Sequence, residues 1–155
     1  MDTKTNVMRL LDGMKIPYHA YQYPAEHALS GVEVAELLGQ PKERVFKTLV
    51  TVGKPRKYYV FMIPVAEELN LKKAASAAGE KSIEMIKAKD LLPLTGYVHG
   101  GCSPIGMKRV FPVFIHDTAP SFDAILFSAG KIGYQVELSL ADLQKVVDVK
   151  PVALI

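Results

Sequence analysis

The chain has 155 residues, 49% of them hydrophobic and 23% charged, which suits one domain spanning residues 1–155 with a core of its own. Its formal net charge of +3 permits an RNA partner without requiring one. No apolar run is long enough to cross a membrane and residues 1–6 lack the apolar core of a signal peptide, so we expect a cytoplasmic protein without membrane contact. The single cysteine cannot form an internal disulfide.

Four stretches carry the apolar spacing and end signals of helices. They are residues 2–13, residues 30–39 with a Ser30–Glu33 capping box, residues 70–79 with Asn70 as cap, and residues 139–147 with Ser139 as cap. A further helix is predicted over residues 82–89.

Strand-like runs alternate with these helices but follow no strict βαβ order. They are residues 18–23, 45–52, 57–63, 111–115, 124–127, 132–138 and 149–154. Residues 53–56 predict a hairpin turn, and Pro151 suits an edge strand. The pattern predicts an α+β fold, in which helices flank a mixed, largely antiparallel, curved sheet.

Lys47 is the one charged residue in the apolar run over residues 45–50. Strand alternation places Lys47 on one face and Thr48 on the other. The lysine is either an edge residue whose ammonium reaches water or a functional cation at the mouth of a pocket. Periodicity alone favours the edge residue.

A glycine-rich segment over residues 95–109 is the second candidate for a site. It contains four glycines and one proline. Such a segment either connects two elements tightly or presents backbone N–H groups to a ligand, as in an oxyanion-type site.

Other side chains offer less chemistry. Cys102 could be a nucleophile near His99, but we favour a packing residue, since sequence proximity says little about geometry. His19, His27, His99 and His116 lack metal-ligand spacing, so we expect no metal and no cofactor. His116 and Asp117 could pair, although neighbouring residues on a strand point to opposite faces.

Several of these motifs occur together and in one order. They are residues 45–50 (VFKTLV), 71–73 (LKK), 95–97 (TGY), 100–101 (GG), 103–106 (SPIG) and 128–131 (SAGK). In this respect the chain resembles the YbaK-type Cys-tRNA(Pro) deacylases, relatives of the editing domain of bacterial prolyl-tRNA synthetases. The resemblance covers nearly the whole chain.

The resemblance implies a trans-editing enzyme that removes cysteine from Cys-tRNA(Pro) without a cofactor, the substrate thiol attacking its own ester. The family's essential lysine matches Lys47. The resemblance assigns these further residues to the substrate: Tyr21, Ser30, Thr48, Gly100, Gly101, Ser103, Pro104, Ile105, Gly106, Ser128, Gly130 and Gln135. It implies aminoacyl-tRNA, tRNA(Pro), as partner and leaves prolyl-tRNA synthetase open as a second one.

Two departures from the family pattern keep alternatives open. Ser30 stands where some members carry phenylalanine, and Gln135 stands where some carry aspartate. The chain could therefore act on Ala-tRNA(Pro) with water as nucleophile, or bind tRNA or a synthetase without catalysis. A thiol-dependent ester hydrolase using Cys102 is the third alternative.

Overall fold

The computed structural model describes residues 4–25 and 29–155. The elements in chain order are α1 (Asn6–Gly13), β1 (His19–Gln22), α2 (Gly31–Leu37), β2 (Phe46–Val52), β3 (Tyr58–Pro64), α3 (Leu71–Ala78), β4 (Glu84–Met85), α4 (Ala88–Thr95), β5 (Val113–His116), β6 (Ile125–Ser128), β7 (Tyr134–Leu138), α5 (Leu140–Val146) and β8 (Val149–Val152). Short 3₁₀ turns lie at Lys42–Arg44 and Ala119–Ser121.

The strands form two sheets that meet at the start of β2. One has the order β4-β2-β3-β5-β8 and the other the order β1-β7-β6. Within the described residues four strand pairings are antiparallel and two, β3–β5 and β5–β8, are parallel. A parallel bridge between Val45 and Leu126 links the sheets. The predicted α+β, mixed and largely antiparallel fold is confirmed, with its strands divided between two sheets.

The helix ends follow the predicted side-chain signals. Ser30 and Glu33 form the complete capping box of α2. The Asn70 side chain accepts hydrogen bonds from the first turn of α3, and Gly79 closes that helix in the left-handed region. Ser139 caps α5. For α1 the cap is Thr5, and residues 2 and 3 of the predicted helix lie outside the described residues.

The predicted helix over residues 82–89 is wrong. Ile83 is buried in the core cluster beneath α3. The next two residues form β4, which pairs with the outer edge of β2. Helix α4 begins only at Ala88 and continues through Pro93. The open edge of β2 therefore outweighs a weak helical spacing, since tertiary pairing routinely overrides local propensity.

Strand β2 separates two parts of the core. Phe46 and Val50 belong to the main cluster between the sheets, whereas Leu49 packs against the cluster beneath α3. The alternation therefore places Thr48 with Phe46 and Val50, and Lys47 with Leu49. Both polar residues stand at the end of β2 that adjoins the second sheet.

Candidate active site

A pocket with a cavity volume of about 170 Å³ opens where β2 approaches the second sheet. Most of its lining comes from four parts of the chain: the start of α2, the start of β2, the loop after α4, and the β6–β7 pair. Tyr23, Val65 and Leu91 complete it. The residues of this lining that were predicted to contact substrate are Ser30, Lys47, Thr48, Gly100, Ser128 and Gln135. The fold thus brings together residues separated by up to 105 positions in the chain.

Lys47 is half-buried in the pocket wall. It has no ion pair or hydrogen bond with any residue in the described ranges 4–25 and 29–155. A partly desolvated ammonium without a partner interacts strongly with an anion that enters the same space. Lys47 is therefore available to a phosphate or to negative charge on an ester.

Two oxygens in the lining residues are buried and lack hydrogen-bond partners in the described part of the chain. They are Thr48 Oγ1 and Gln135 Oε1. Leaving a buried polar atom unpaired costs about 1–3 kcal/mol, so such atoms call for an explanation. Both residues belong to the lining of the same pocket, so a hydrogen-bond donor brought there by a ligand would have two acceptors beside it.

Gly100 lies at the tip of a tight turn. The N–H of Gly101 donates to Val98 O at 3.0 Å, and Gly100 has φ +86°. The N–H groups of Gly100 and Cys102 make no hydrogen bond with the described residues, and both residues line the pocket. The N–H of Gly101 is thus already committed to the turn, and the N–H groups of its two neighbours have no partner among the described residues.

The β6–β7 pair supplies the opposite wall. Ser128 and Gln135 are register partners, and Tyr21 of β1 is the register partner of Gln135 on its other side. Ser128 Oγ accepts a hydrogen bond from Gly130 N at 3.1 Å. Gly130 has φ +90° and follows the strand as its turn, outside the lining itself. Its N–H orients the Ser128 hydroxyl.

Tyr21 lies outside the pocket lining, and Tyr23 lies in it. The Tyr21 hydroxyl donates to Glu137, and this hydrogen bond, with partial burial, raises the pKa of Tyr21. Glu137 also pairs with Arg44 at 3.2 Å. Tyr21 is therefore engaged in a partly buried network beside the pocket. Tyr23 is the last residue of the predicted strand over residues 18–23, and nothing in the sequence around it marks it as a pocket residue.

Residues 103–106 support the glycine turn from behind. Ser103 Oγ accepts from Ile105 N at 3.3 Å, and the Tyr97 hydroxyl donates to Ile105 O. Ser103, Pro104 and Ile105 are buried, and Gly106 has φ +79° close to Tyr97. None of the four lines the pocket. They fix the position of the loop that does.

The family model of the aminoacyl-tRNA editing domain matches residues 25–146. The chain belongs to the aminoacyl-tRNA editing domain family. A protein of Enterococcus faecalis, provisionally named Cys-tRNA(Pro)/Cys-tRNA(Cys) deacylase EbsC, is 50% identical over 137 residues, which are 88% of this chain and 84% of that protein. A proline–tRNA ligase of Thermosipho africanus is 31% identical over 78 residues, which are 50% of this chain and 14% of the ligase.

Solved structures of similar shape agree with an editing-domain fold. The hypothetical protein APE2540 superposes with a TM-score of 0.83 at 21% identity, covering 94% of this chain and 97% of that one. A protein described provisionally as a trans-editing enzyme for prolyl tRNA synthetase also gives 0.83, at 18% identity, covering 99% and 98%. At these identities the likeness shows the fold alone.

Cys102 of this editing domain is a poor nucleophile. Its side chain lines the pocket but is 9% exposed, and burial raises the pKa of the Cys102 thiol to about 12. Only the thiolate attacks carbonyl carbon or alkylating agents efficiently, and at neutral pH a thiol with this pKa is almost entirely protonated. The residue therefore packs the loop, and the thiol-dependent alternative loses its nucleophile.

The histidines of this editing domain form no metal site among the described residues, where no group of three or more potential ligands occurs. His27 lies outside those residues. His116 Nε2 lies 3.4 Å from Asp117 Oδ1, so of the two alternatives the structure shows the pair. Strand β5 ends at His116, and the alternation of side chains along the strand does not extend into the turn that follows.

Within residues 4–25 and 29–155, no helix has both the length and the apolar character of a membrane span.

Proposed function

We propose that this editing domain is a trans-editing deacylase that removes cysteine from Cys-tRNA(Pro). Family membership and the 50% identity to a protein named for that reaction support the substrate class. The observation that carries the assignment is the coincidence, in one pocket, of an unpaired lysine and two buried oxygens without partners. Such a pocket is built for a ligand that brings both negative charge and N–H donors, as the charged end of a tRNA does.

Lys47 serves the anionic part of the substrate. Its ammonium binds the terminal nucleotide or stabilises charge that develops on the ester carbonyl. The N–H groups of Gly100 and Cys102 contribute to the same oxyanion. One preorganised donor of this kind contributes about 3 kcal/mol to the transition state.

Thr48 and Gln135 bind the amino acid part of the substrate. Their oxygens accept hydrogen bonds from the substrate's α-ammonium group, assisted by the Ser128 hydroxyl. Gln135 replaces the charge of an aspartate by a neutral acceptor. Ser30 is smaller than the phenylalanine of some family members, and its hydroxyl already accepts a hydrogen bond from Glu33 N in the capping box.

Cleavage of the aminoacyl ester needs no nucleophile from the protein. Cys102 is protonated and buried, so we assign the attack to the substrate's own thiol. The thiol loses its proton, its sulfur bonds to the ester carbon, and the tRNA 3′-terminal oxygen departs and takes up a proton. The products are a cyclic cysteine thiolactone and free tRNA. The pocket supplies orientation and charge stabilisation.

The partners and place of action follow from the task. Cysteine and proline are close in size, and a synthetase pocket rejects a near-isosteric competitor by only about 1–3 kcal/mol. A second hydrolytic site then improves accuracy. We propose that the domain acts in the cytoplasm on tRNA(Pro) released by, or still held on, prolyl-tRNA synthetase.

Replacing Thr48 with valine is expected to stabilise the free protein and impair catalysis together. The change removes a buried hydroxyl that has no partner, which should raise the free energy of unfolding by about 1 kcal/mol. It also removes an acceptor for the substrate amine, so kcat/KM for Cys-tRNA(Pro) should fall roughly tenfold. Urea unfolding and single-turnover deacylation measure the two effects.

Thr51→Val is the matched control on the same strand. Thr51 is also buried, but its hydroxyl donates to Tyr59 O at 2.9 Å. This variant should lose about 1 kcal/mol of stability and keep its catalytic efficiency. If Thr48→Val were destabilised like Thr51→Val and fully active, the Thr48 hydroxyl would have no role in the pocket.

A further inference from the structure

A second surface feature, separate from the pocket, lies at the tip of the β2–β3 hairpin. It is a groove with a cavity volume of about 280 Å³, and we call it the basic groove. The side chains that matter to its chemistry are Arg56, Lys57, Tyr58, Arg109, Val110 and Phe111. The mechanism above uses none of them.

The groove is strongly cationic. Arg56, Lys57 and Arg109 are all exposed, and no carboxylate belongs to the part of the groove lining that the structure describes. Asp90 is near enough for its charge to act on Arg56. Three cations facing one concave surface therefore leave a positive excess that suits an anionic partner.

The same groove exposes aromatic and apolar surface. The rings of Tyr58 and Phe111 meet edge to face at 5.7 Å. The guanidinium of Arg109 lies 5.5 Å from the centroid of the Phe111 ring. Val110, between them, is fully exposed. Cations interleaved with rings bind phosphates and unstacked bases of RNA.

The groove and the pocket are joined by one segment of the chain. Residues 96–111 leave the pocket at Gly100 and Cys102 and reach the groove at Arg109. Along β2, Lys47 and the hairpin are separated by five residues, or about 17 Å at roughly 3.3 Å per residue. A few nucleotides cover that distance, so one RNA molecule can occupy both features.

We propose that the basic groove holds the phosphate backbone of the tRNA whose charged 3′ end enters the pocket. This inference rests on the proposed function, which supplies the identity of the RNA. The groove binds the tRNA whichever amino acid it carries, and the pocket distinguishes between amino acids. Contacts with the RNA thereby provide affinity, and contacts with the aminoacyl ester provide selectivity.

The test compares the tRNA affinity of a variant that lacks two cations of the groove with that of a variant that lacks two cations elsewhere. The groove variant is Lys57→Gln with Arg109→Gln. The control is Lys145→Gln with Lys150→Gln, which changes the net charge equally on exposed residues of α5 and β8. The probe is an uncharged tRNA(Pro) transcript, whose Kd is measured by fluorescence anisotropy at several salt concentrations, with circular dichroism as the check of folding.

The groove variant should bind the transcript roughly tenfold more weakly at 0.1 M salt, and its log Kd against log salt slope should fall by about 1.5. The control should change Kd by less than about twofold. Equal affinities for the groove variant and wild type, or equal losses in both variants, would overturn the inference. Unchanged tRNA affinity with lost binding to prolyl-tRNA synthetase would overturn it in favour of a protein partner.

Different results would contradict the groove assignment and the deacylase assignment. If the wild type bound the transcript through the groove and hydrolysed no ester, the groove assignment would stand and the deacylase assignment would fail. If the wild type hydrolysed Cys-tRNA(Pro) and the groove variant matched it in both Kd and kcat/KM, the reverse would hold.

Discussion

Replacing Lys47 with alanine is expected to slow deacylation of Cys-tRNA(Pro) by at least about a hundredfold, because removing one preorganised charge-stabilising group typically costs 10²–10³ in rate. Lys47 is half-buried in the pocket wall and has no partner among the described residues. The variant therefore loses no native ion pair, and its free energy of unfolding should change by less than about 0.5 kcal/mol. Single-turnover kinetics and urea unfolding measure the two quantities.

Lys150→Ala is the control for this change. Lys150 is an exposed lysine on the edge strand β8, away from the pocket lining. It should retain the wild-type rate. Full activity in Lys47→Ala would remove the lysine from the mechanism, and an equal loss in both variants would show an effect of overall charge.

Replacing Gly130 with alanine is expected to destabilise the protein by about 2–4 kcal/mol, combining backbone strain with overpacking. Gly130 has φ +90°, and an added Cβ would lie 2.9 Å from Tyr97 Cε1 and 3.1 Å from Val7 Cγ2. Tyr97 cannot yield easily, because it is buried and its hydroxyl is bonded to Ile105 O. Thermal or urea unfolding gives the loss directly.

Gly39→Ala separates the two causes. Gly39 also has positive φ, +65°, but an added Cβ there meets nothing within 4 Å. It should cost only about 1 kcal/mol, the conformational part. Similar losses at both glycines would contradict the proposed clash with Tyr97. Because Gly130 N–H also orients the Ser128 hydroxyl, the folded fraction of Gly130→Ala should show reduced activity.

Local sequence signals predicted the helix ends well. Ser30 with Glu33, Asn70 with Gly79, and Ser139 each satisfy helix-terminal groups through contacts within a few residues, which spacing alone encodes. The segment over residues 82–89 failed for the opposite reason. Its structure is decided by Ile83 in a distant cluster and by the free edge of β2, and neither is visible in local spacing.

The sequence predicted several residues that the fold brings into one pocket, but not the hydrogen bonds they make or lack. Lys47 stands out as a charge in an apolar strand, and motif order linked it to Gly100 and Ser128. Sequence could not show that Thr48 and Gln135 keep oxygens without partners, because that depends on what the fold leaves out. Nor could it show that the N–H of Gly101 donates to Val98 O within the turn, because this hydrogen bond depends on the backbone conformation of residues 98–101.

Single-turnover deacylation by the wild-type protein tests the central claim most directly. The esters to compare are Cys-tRNA(Pro), Ala-tRNA(Pro) and correctly charged Pro-tRNA(Pro), each at enzyme excess. We expect rapid loss of the cysteinyl ester with formation of a thiolactone, and loss of the other two near the spontaneous rate. Preferential loss of the alanyl ester would contradict the cysteine assignment and require water as nucleophile, and stability of all three would contradict the deacylase itself.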